Sequence, residues 1–430
     1  MNEKLVIAIS ESINRIHERL RDNKDSFLDP MTQSSIGIDR NGVSITLTGS
    51  TLEEYRRILD RLLQEKDIKE KFSEKSLENI LREVISKLYS LGDIDQTQVF
   101  LKNEFEKMRS KCKAQIVYIP IDGIFVYEQE VGSIQVGNIL IEKITEEKLQ
   151  SIIQKTRDIT LSLSNNFYSS EDLIWMAQEN EESLKNIFLN LVCAKYSITA
   201  EPTRAVELAR RETGRSLDIL RFAIPLLYQR KDNVRIEIEG DAGSGGWRHL
   251  IISEDSRFFS KGFNSSRQTF DINRKRLDAL EKVGIFKLSE LFQKKDPTDL
   301  EKNLIVALGW FSQSQNQTNL NSELLYLTIC LEVFFSPERG ERISEFISEG
   351  IAFMLGDSFE KRKEIKKKSK DLYDLRSKVV HGRGKPISEK DVYELQGITL
   401  GVIIKLIDNE IKFQSTQELR EWIKDKKLGL

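Results

Sequence analysis

Asp371-Leu-Tyr-Asp-Leu-Arg-Ser-Lys-Val-Val-His-Gly-Arg-Gly-Lys-Pro386 is the stretch on which the reading of this chain turns. It carries His381, one of three histidines in 430 residues, with Arg376 five positions before it. Leu372, Leu375 and Val379 share one helical face, so Asp371 to Val380 reads as the end of an amphipathic helix. Gly382 suits the residue just past a helix, and Pro386 prevents simple continuation. Ser388, with Asp391 three residues on, opens the next helix through a capping box. An arginine and a histidine are thereby presented at a helix end beside a basic turn. Lys361, Arg362, Lys363, Lys366, Lys367, Lys368 and Lys370 lie upstream, and Arg383 and Lys385 lie downstream.

Nothing near His381 in sequence supplies further His, Cys or paired carboxylates at ligand spacing, so the stretch predicts no metal site, and no cofactor is implied. An imidazole exchanges protons near neutral pH. A guanidinium clamps two phosphate oxygens. Together they fit metal-independent RNA cleavage, in which the ribose 2′-OH attacks the adjacent phosphorus. That reaction needs a base for the 2′-OH, an acid for the leaving 5′-oxygen and positive charge at the non-bridging oxygens. One Arg and one His do not fill all three roles comfortably, whereas two copies across a two-fold axis do. The other reading of the same residues is a helix-end histidine near the C-terminal dipole with solvated charges around it.

The wider context is more specific. Ala307-Leu-Gly-Trp-Phe311 falls on one expected helix and Leu324-Leu-Tyr-Leu-Thr-Ile-Cys-Leu-Glu-Val-Phe-Phe335 on a second. Glu341-Arg-Ile343 begins a third, and Leu372 to Gly382 carries an Arg-x4-His signature. In this order the pieces, spanning about 298–413, resemble the HEPN superfamily, most closely its Apea-like domains. The resemblance implies a small helical bundle, commonly dimeric, that often serves as an RNase in defence or toxin systems. It implies that Arg376 and His381 are the catalytic pair. The position after the arginine, often Asn, Asp or His in active members, is Ser377 here. Glu332 is a carboxylate within an apolar stripe, where an unpaired charge is costly, so it should meet a cation, and Arg376 is the natural candidate. Tyr373, one turn before Arg376, is expected to line the cleft. Lys378, Arg383 and Lys385 are expected to hold RNA backbone.

Length and composition bound the rest. A chain of 430 residues exceeds one ordinary core and predicts two or three domains. With a net charge of −2, nucleic-acid binding must come from local patches. Cys112, Cys193 and Cys330 are far apart and form neither a disulfide framework nor a zinc spacing, which fits a reducing cytoplasm. The apolar patch at the N-terminus is too short for a signal peptide, and no apolar run approaches a membrane span.

Along the chain, residues 4–22 read as an amphipathic helix with Leu5, Ile9, Ile13, Ile16 and Leu20 inward, and with His17 at the surface or the boundary among charged neighbours. Residues 36–48 predict a hairpin about Asn41-Gly42. Helices are expected at about 51–65 and 74–90, ending at Gly92. Residues 114–144 are strand-rich, and 146–229 are expected to be helical, with Trp175 and Met176 at core or interface positions and Pro225 cutting the last helix. Residues 233–252 return to strand around the turn Gly240-Asp-Ala-Gly-Ser-Gly-Gly-Trp-Arg-His249. This turn lacks the lysine of a phosphate loop, and leaves either a flexible hairpin or a contact for RNA through Trp247 and Arg248. Basic and aromatic residues interleave over 256–296, with the phenylalanines expected in a core. Thr298 with Glu301 launches the helical region after Asp296-Pro297.

The expected fold is mainly α with small antiparallel β parts, ending in a HEPN-type helical bundle. The divisions read as 1–110, mostly helical with the hairpin; 111–296, α+β; and 297–430, the helical domain. The expected function is a cytoplasmic metal-independent endoribonuclease of anti-phage defence or toxin type. It acts on RNA as a homodimer, with its N-terminal region sensing a phage-derived or protein trigger. The alternative is a non-catalytic module of the same fold that binds RNA, nucleotide or a partner protein.

Overall fold

The computed structural model describes residues 2–22, 35–40, 43–162, 169–228, 234–240, 246–252, 257–263, 269–317, 319–336, 343–380, 387–408 and 413–429. The chain divides into two compact units, Met1–Val117 with Tyr196–Arg210, and Tyr118–Lys195 with Arg211–Leu430. The expected middle and helical regions thus fall in one unit, while a segment from within the middle region joins the N-terminal one.

The first unit begins with α1 (Glu3–Arg21), whose start is capped by the Asn2 side chain. It continues with β1 (Ile36–Arg40) and β2 (Val43–Leu47), an antiparallel pair, and then α2 (Gly49–Gln64), α3 (Lys66–Lys71), α4 (Glu74–Leu91) and α5 (Thr97–Ser110). The residues between the two strands, where the Asn41-Gly42 turn is expected, lie outside the described residues. Leu5, Ile9, Ile13 and Ile16 of α1 bury against Tyr55, Ile58 and Leu62 of α2 and Ile80, Leu81 and Val84 of α4 in one core. Leu47 brings the hairpin into that core. Gly92 ends α4 at φ 71°, a left-handed conformation that glycine adopts without a Cβ penalty.

His17 is not at the surface. It is 2% exposed, lies edge-on to Tyr89 with ring centroids 6.4 Å apart, and neither ring nitrogen has a hydrogen-bond partner among the described residues. Its place one residue after buried Ile16 outweighs its charged sequence neighbours. Burial, reinforced by Arg21 and opposed by Glu18, holds its pKa below the ordinary 6.5. The unfolded chain therefore takes up this proton at higher pH than the folded one, and stability falls as pH drops below about 6.5. A urea midpoint measured at pH 7.5 and 5.5 should decrease at the lower pH, by no more than about 1.4 kcal/mol per pH unit from this one group. His17→Leu should flatten that slope; an unchanged slope would remove His17 as its source.

The second unit contains strand-rich and helical parts. The strands run β3 (Lys113–Asp122), β4 (Ile124–Val126), β5 (Ser133–Val136) and β6 (Ile139–Lys143). Helices α6 (Glu146–Ser162) and α7 (Ser170–Phe188) follow, and then β7 (Val192–Ala200) and α8 (Pro202–Leu227); β3, β7 and α8 are divided between the units, since residues 113–117 and 196–210 belong to the first. β7 corrects the expectation of continuous helix over 146–229. It takes the central place in a five-stranded sheet ordered β5-β6-β7-β3-β8, where β8 is Glu237–Ile238. The alternation that identifies half-exposed strands is weak in Val192-Cys-Ala, because those three residues are all buried. Pro225 does not cut α8, which runs two residues past it. Trp175, expected at a core or interface, is 61% exposed.

Strands β9 (Gly246–Ile252) and β10 (Arg257–Phe263) form an antiparallel pair, whose side chains lie outside the described residues. β11 (Phe270–Ile272) pairs with β4 in parallel, so the β parts are not all antiparallel. Gly123, at φ 81° between β3 and β4, admits no side chain, because a Cβ there would fall 1.8 Å from the Arg235 carbonyl oxygen. Short helices α9 (Arg274–Lys282) and α10 (Ile285–Gln293) lead to the C-terminal bundle.

That bundle comprises α11 (Asp299–Gln315), α12 (Leu320–Phe335), α13 (Ile343–Leu355), α14 (Phe359–Val380), α15 (Glu389–Ile407) and α16 (Thr416–Leu428). Capping boxes at Thr298/Glu301 and Ser388/Asp391 start α11 and α15. Leu304, Ala307, Leu308 and Phe311 of α11 are buried, as are Leu324, Leu327, Leu331, Phe334 and Phe335 of α12. The Cys330 thiol lies 3.2 Å from the Ala307 carbonyl, tying the two helices where they touch. The chain is mainly helical with small β parts and a helical C-terminal region. Among the described residues no helix is long and apolar enough to cross a membrane.

Candidate functional site

Helix α14 brings Tyr373 and Arg376 onto one side, one turn apart, and α12 sets Glu332 against them. The Tyr373 hydroxyl donates to Glu332 Oε1 at 2.6 Å. Arg376 Nη2 stands 3.4 Å from the same oxygen, and the guanidinium lies 5.9 Å from the Tyr373 ring centroid. Burial, and after it the hydrogen bond to Glu332, pushes the Tyr373 hydroxyl well above its ordinary pKa, so the phenol stays a donor. The Glu332 carbonyl in turn accepts from the Ser336 backbone at 3.0 Å and from its hydroxyl at 2.5 Å, which fixes the last turn of α12.

These contacts leave Arg376 with capacity. Its side chain is 34% exposed, and that of Glu332 is 22% exposed. Among the described residues its single ion-pair contact is long and monodentate, and its Nε is buried with no partner. A guanidinium has five N–H donors in a fixed fork, so one that is positioned but undersatisfied can donate to two oxygens of an incoming anion. Tyr373 differs from its expected place. It is 8% exposed, and its hydroxyl is turned to Glu332, so it supports the carboxylate and does not line an open cleft. Ser377 is exposed on the next position of α14.

The other expected site residues are placed only in part. Lys378 belongs to α14, but its side chain, like His381, Arg383 and Lys385 entire, lies outside the described residues. Trp247 and Arg248 belong to β9, with their side chains outside the described residues.

The basic run before Arg376 is largely neutralised, a property that the sequence does not reveal. Lys361 pairs with Asp357 at 2.8 Å and Lys368 with Glu394 at 3.0 Å. Lys366 meets Glu345 at 2.7 Å and Glu349 at 2.9 Å, while Lys370 meets Glu345 at 2.6 Å. Lys427 of α16 reaches Glu349 at 2.9 Å. Hydrogen bonds from Lys366 and Lys370 hold the Glu345 carboxyl down to about 2. The run therefore serves to fasten α14 to α13 and α15, while Lys427 ties α16 to α13, with less of the run left to attract RNA. Glu345 and Glu349 sit i, i+4 on α13, a spacing legible in the sequence, but their partners are set only by packing.

No protein-family model matches this chain, and neither a curated protein nor a solved structure matches it.

Proposed function

We propose that the chain is a metal-independent endoribonuclease of HEPN type, with Arg376 as the phosphate-binding group and His381 as the general acid/base. The observation that carries the reading is the positioned, undersatisfied guanidinium of Arg376, supported by Glu332 and Tyr373 and followed five residues later by a histidine. In this reaction the 2′-oxygen bonds to phosphorus as its proton goes to a base, and the P–O5′ bond breaks as the 5′-oxygen takes a proton. The products are a 2′,3′-cyclic phosphate and a 5′-hydroxyl. Arg376 stabilises charge on the non-bridging oxygens, and Lys378, Arg383 and Lys385 position the backbone.

A second copy of the chain supplies the second imidazole. Leu325, Tyr326, Ile329 and Val333 form a half-exposed apolar stripe on α12, on the helix that also carries Glu332. A helix that is apolar on nearly every side is ordinarily covered on every side, which favours pairing of this face with its equivalent. The biological setting proposed is anti-phage defence or a toxin role in the cytoplasm, with the first 296 residues sensing a phage-derived or protein trigger.

One observation favours a second reading. Arg376 already has a carboxylate within 3.4 Å, as an arginine kept for structure would, and a non-catalytic module that binds RNA, nucleotide or a partner protein fits that arrangement. His381→Ala separates the two, since an enzyme loses cleavage and a binding module keeps its ligand.

The test is to incubate the purified protein with total RNA in EDTA, with and without phage-infected extract, beside an Arg376→Ala/His381→Ala double variant. Cleavage by the wild type alone, leaving 2′,3′-cyclic phosphate ends, is the expected result. Absence of cleavage in both conditions, or cleavage by the double variant, would overturn the assignment.

A further inference from the structure

Where helices α8 and α11 meet, a group of polar residues stands beside the buried contact of Phe222 with Phe311, whose ring centroids are 5.6 Å apart. Gly214, Asp218 and Arg221 follow one another at i, i+4 and i+7 on α8, and Gln313 and Asn316 lie one turn apart at the end of α11. With Glu237 and Ile238 of β8 they enclose a cavity of about 320 Å³. That is at the small end of ligand-site volumes, which start at about 300 Å³.

Three features show a built site. Arg221 is held by four hydrogen bonds within the protein, with Nε and Nη2 donating to the Ile236 carbonyl at 2.8 and 2.6 Å and Nη1 to Asp218 Oδ1 at 3.0 Å and Ser312 Oγ at 3.2 Å. It thus anchors Asp218 without filling the cavity. Asp218 itself is set deep between elements, where burial pushes its carboxyl up and Arg221 opposes the shift, yet 18% of its side chain remains accessible. Finally, Gly214 lies inside a 26-residue helix, and a Cβ there would meet nothing within 4 Å. Glycine is the poorest helix former after proline, and its backbone here is not left-handed, so neither conformation nor crowding requires it. What glycine at this position does provide is open space on the cavity wall.

Two carboxylates, Asp218 and Glu237, border the cavity against one guanidinium, and the carboxamides of Gln313 and Asn316 complete the polar lining. We propose that this cavity binds a flat group with two adjacent N–H donors, as carried by a guanine base or an alkyl guanidinium, with Asp218 as the principal acceptor. A carboxylate accepts such a donor pair in parallel, and adenine, which offers an acceptor at the equivalent ring position, leaves the carboxylate unmatched. This site is independent of Arg376 and stands whether or not the chain cleaves RNA.

Calorimetric titration of the full chain with guanosine, agmatine and adenosine tests the assignment, with Gly214→Met to fill the cavity and Asp218→Asn to remove the acceptor pair. Guanosine or agmatine should bind, and whichever does identifies the source of the donor edge. Adenosine should bind at least about tenfold more weakly, as expected when a buried polar group is left unpaired. Gly214→Met should lose at least about tenfold in affinity with its thermal midpoint maintained, because methionine is the better helix former. Failure of both guanosine and agmatine to bind, equal binding of adenosine, or undiminished binding by the folded Gly214→Met variant would overturn the proposal.

Discussion

Arg376→Ala is expected to lower RNA cleavage by at least about 100-fold, the scale on which removing one preorganised charge donor acts on a transition state. Folding should be little affected. The contacts that are lost are one 3.4 Å pair and a distant stacking on the Tyr373 ring, from a side chain that is 34% exposed, and such pairs contribute about 0–1 kcal/mol. Glu332 keeps its hydrogen bond from Tyr373. Arg376→Lys should not restore activity, because an ammonium is a point charge and lacks the planar fork that meets two phosphate oxygens. Single-turnover cleavage in EDTA, alongside urea denaturation, separates the two effects. Full activity in Arg376→Lys would argue that only charge matters, and loss of folding in Arg376→Ala would argue for a structural arginine.

The largest expected effect on stability is at Glu201. This residue is 3% exposed and stands at the start of α8 while reaching the start of α4. Its Oε1 accepts from Ser73 N, the Ser76 hydroxyl and Arg204 N at 3.0, 3.0 and 3.1 Å, and its Oε2 accepts from Thr203 N at 3.1 Å. One carboxylate thereby satisfies free N–H groups at two helix N-termini and lies where both dipoles are positive. Glu201→Ala should destabilise by about 3 kcal/mol, since it removes a charged cap and leaves several buried donors unmatched. Glu201→Gln should fall between, because one of its two acceptor oxygens becomes a donor.

The same carboxylate gives a pH signature. Burial acts to raise its pKa, but the donors around Ser73, Ser76 and Thr203 outweigh it, and the pKa lies below the ordinary 4.5. Its contribution is present above that ordinary value and is lost as pH falls through the folded one. Wild type and Glu201→Ala should therefore converge in urea midpoint on acidification. A Glu201→Ala variant within about 0.5 kcal/mol of wild type, the range of ordinary surface substitutions, would show that the two caps are not coupled through this residue.

The helical C-terminal region is legible in the sequence. Apolar spacing marks α11 and α12, and paired cap residues mark where α11 and α15 begin, because helix boundaries are set by hydrogen bonds between near neighbours in the chain. The charge at Glu332 within an apolar stripe likewise points to a cationic partner. β7 is not legible in this way, since its first three residues are all buried and show no alternation, and it gains its identity from the strands on either side. His17 reads as a surface or boundary residue because its sequence neighbours are charged, while its tertiary neighbours bury it.

What the sequence determined by itself is the set of local decisions: where helices start, which face of each is apolar, and that an arginine stands five residues before a histidine near the end of a long helix. Tertiary structure alone decided which distant charges meet. It turned Tyr373 from a cleft wall into the support of Glu332, converted lysines of α14 into ties to α13 and α15, and set Gly214, Asp218 and Arg221 opposite Gln313 and Asn316 around a cavity. Ion pairs and cavities depend on the approach of surfaces far apart in the chain, and no local periodicity encodes that approach.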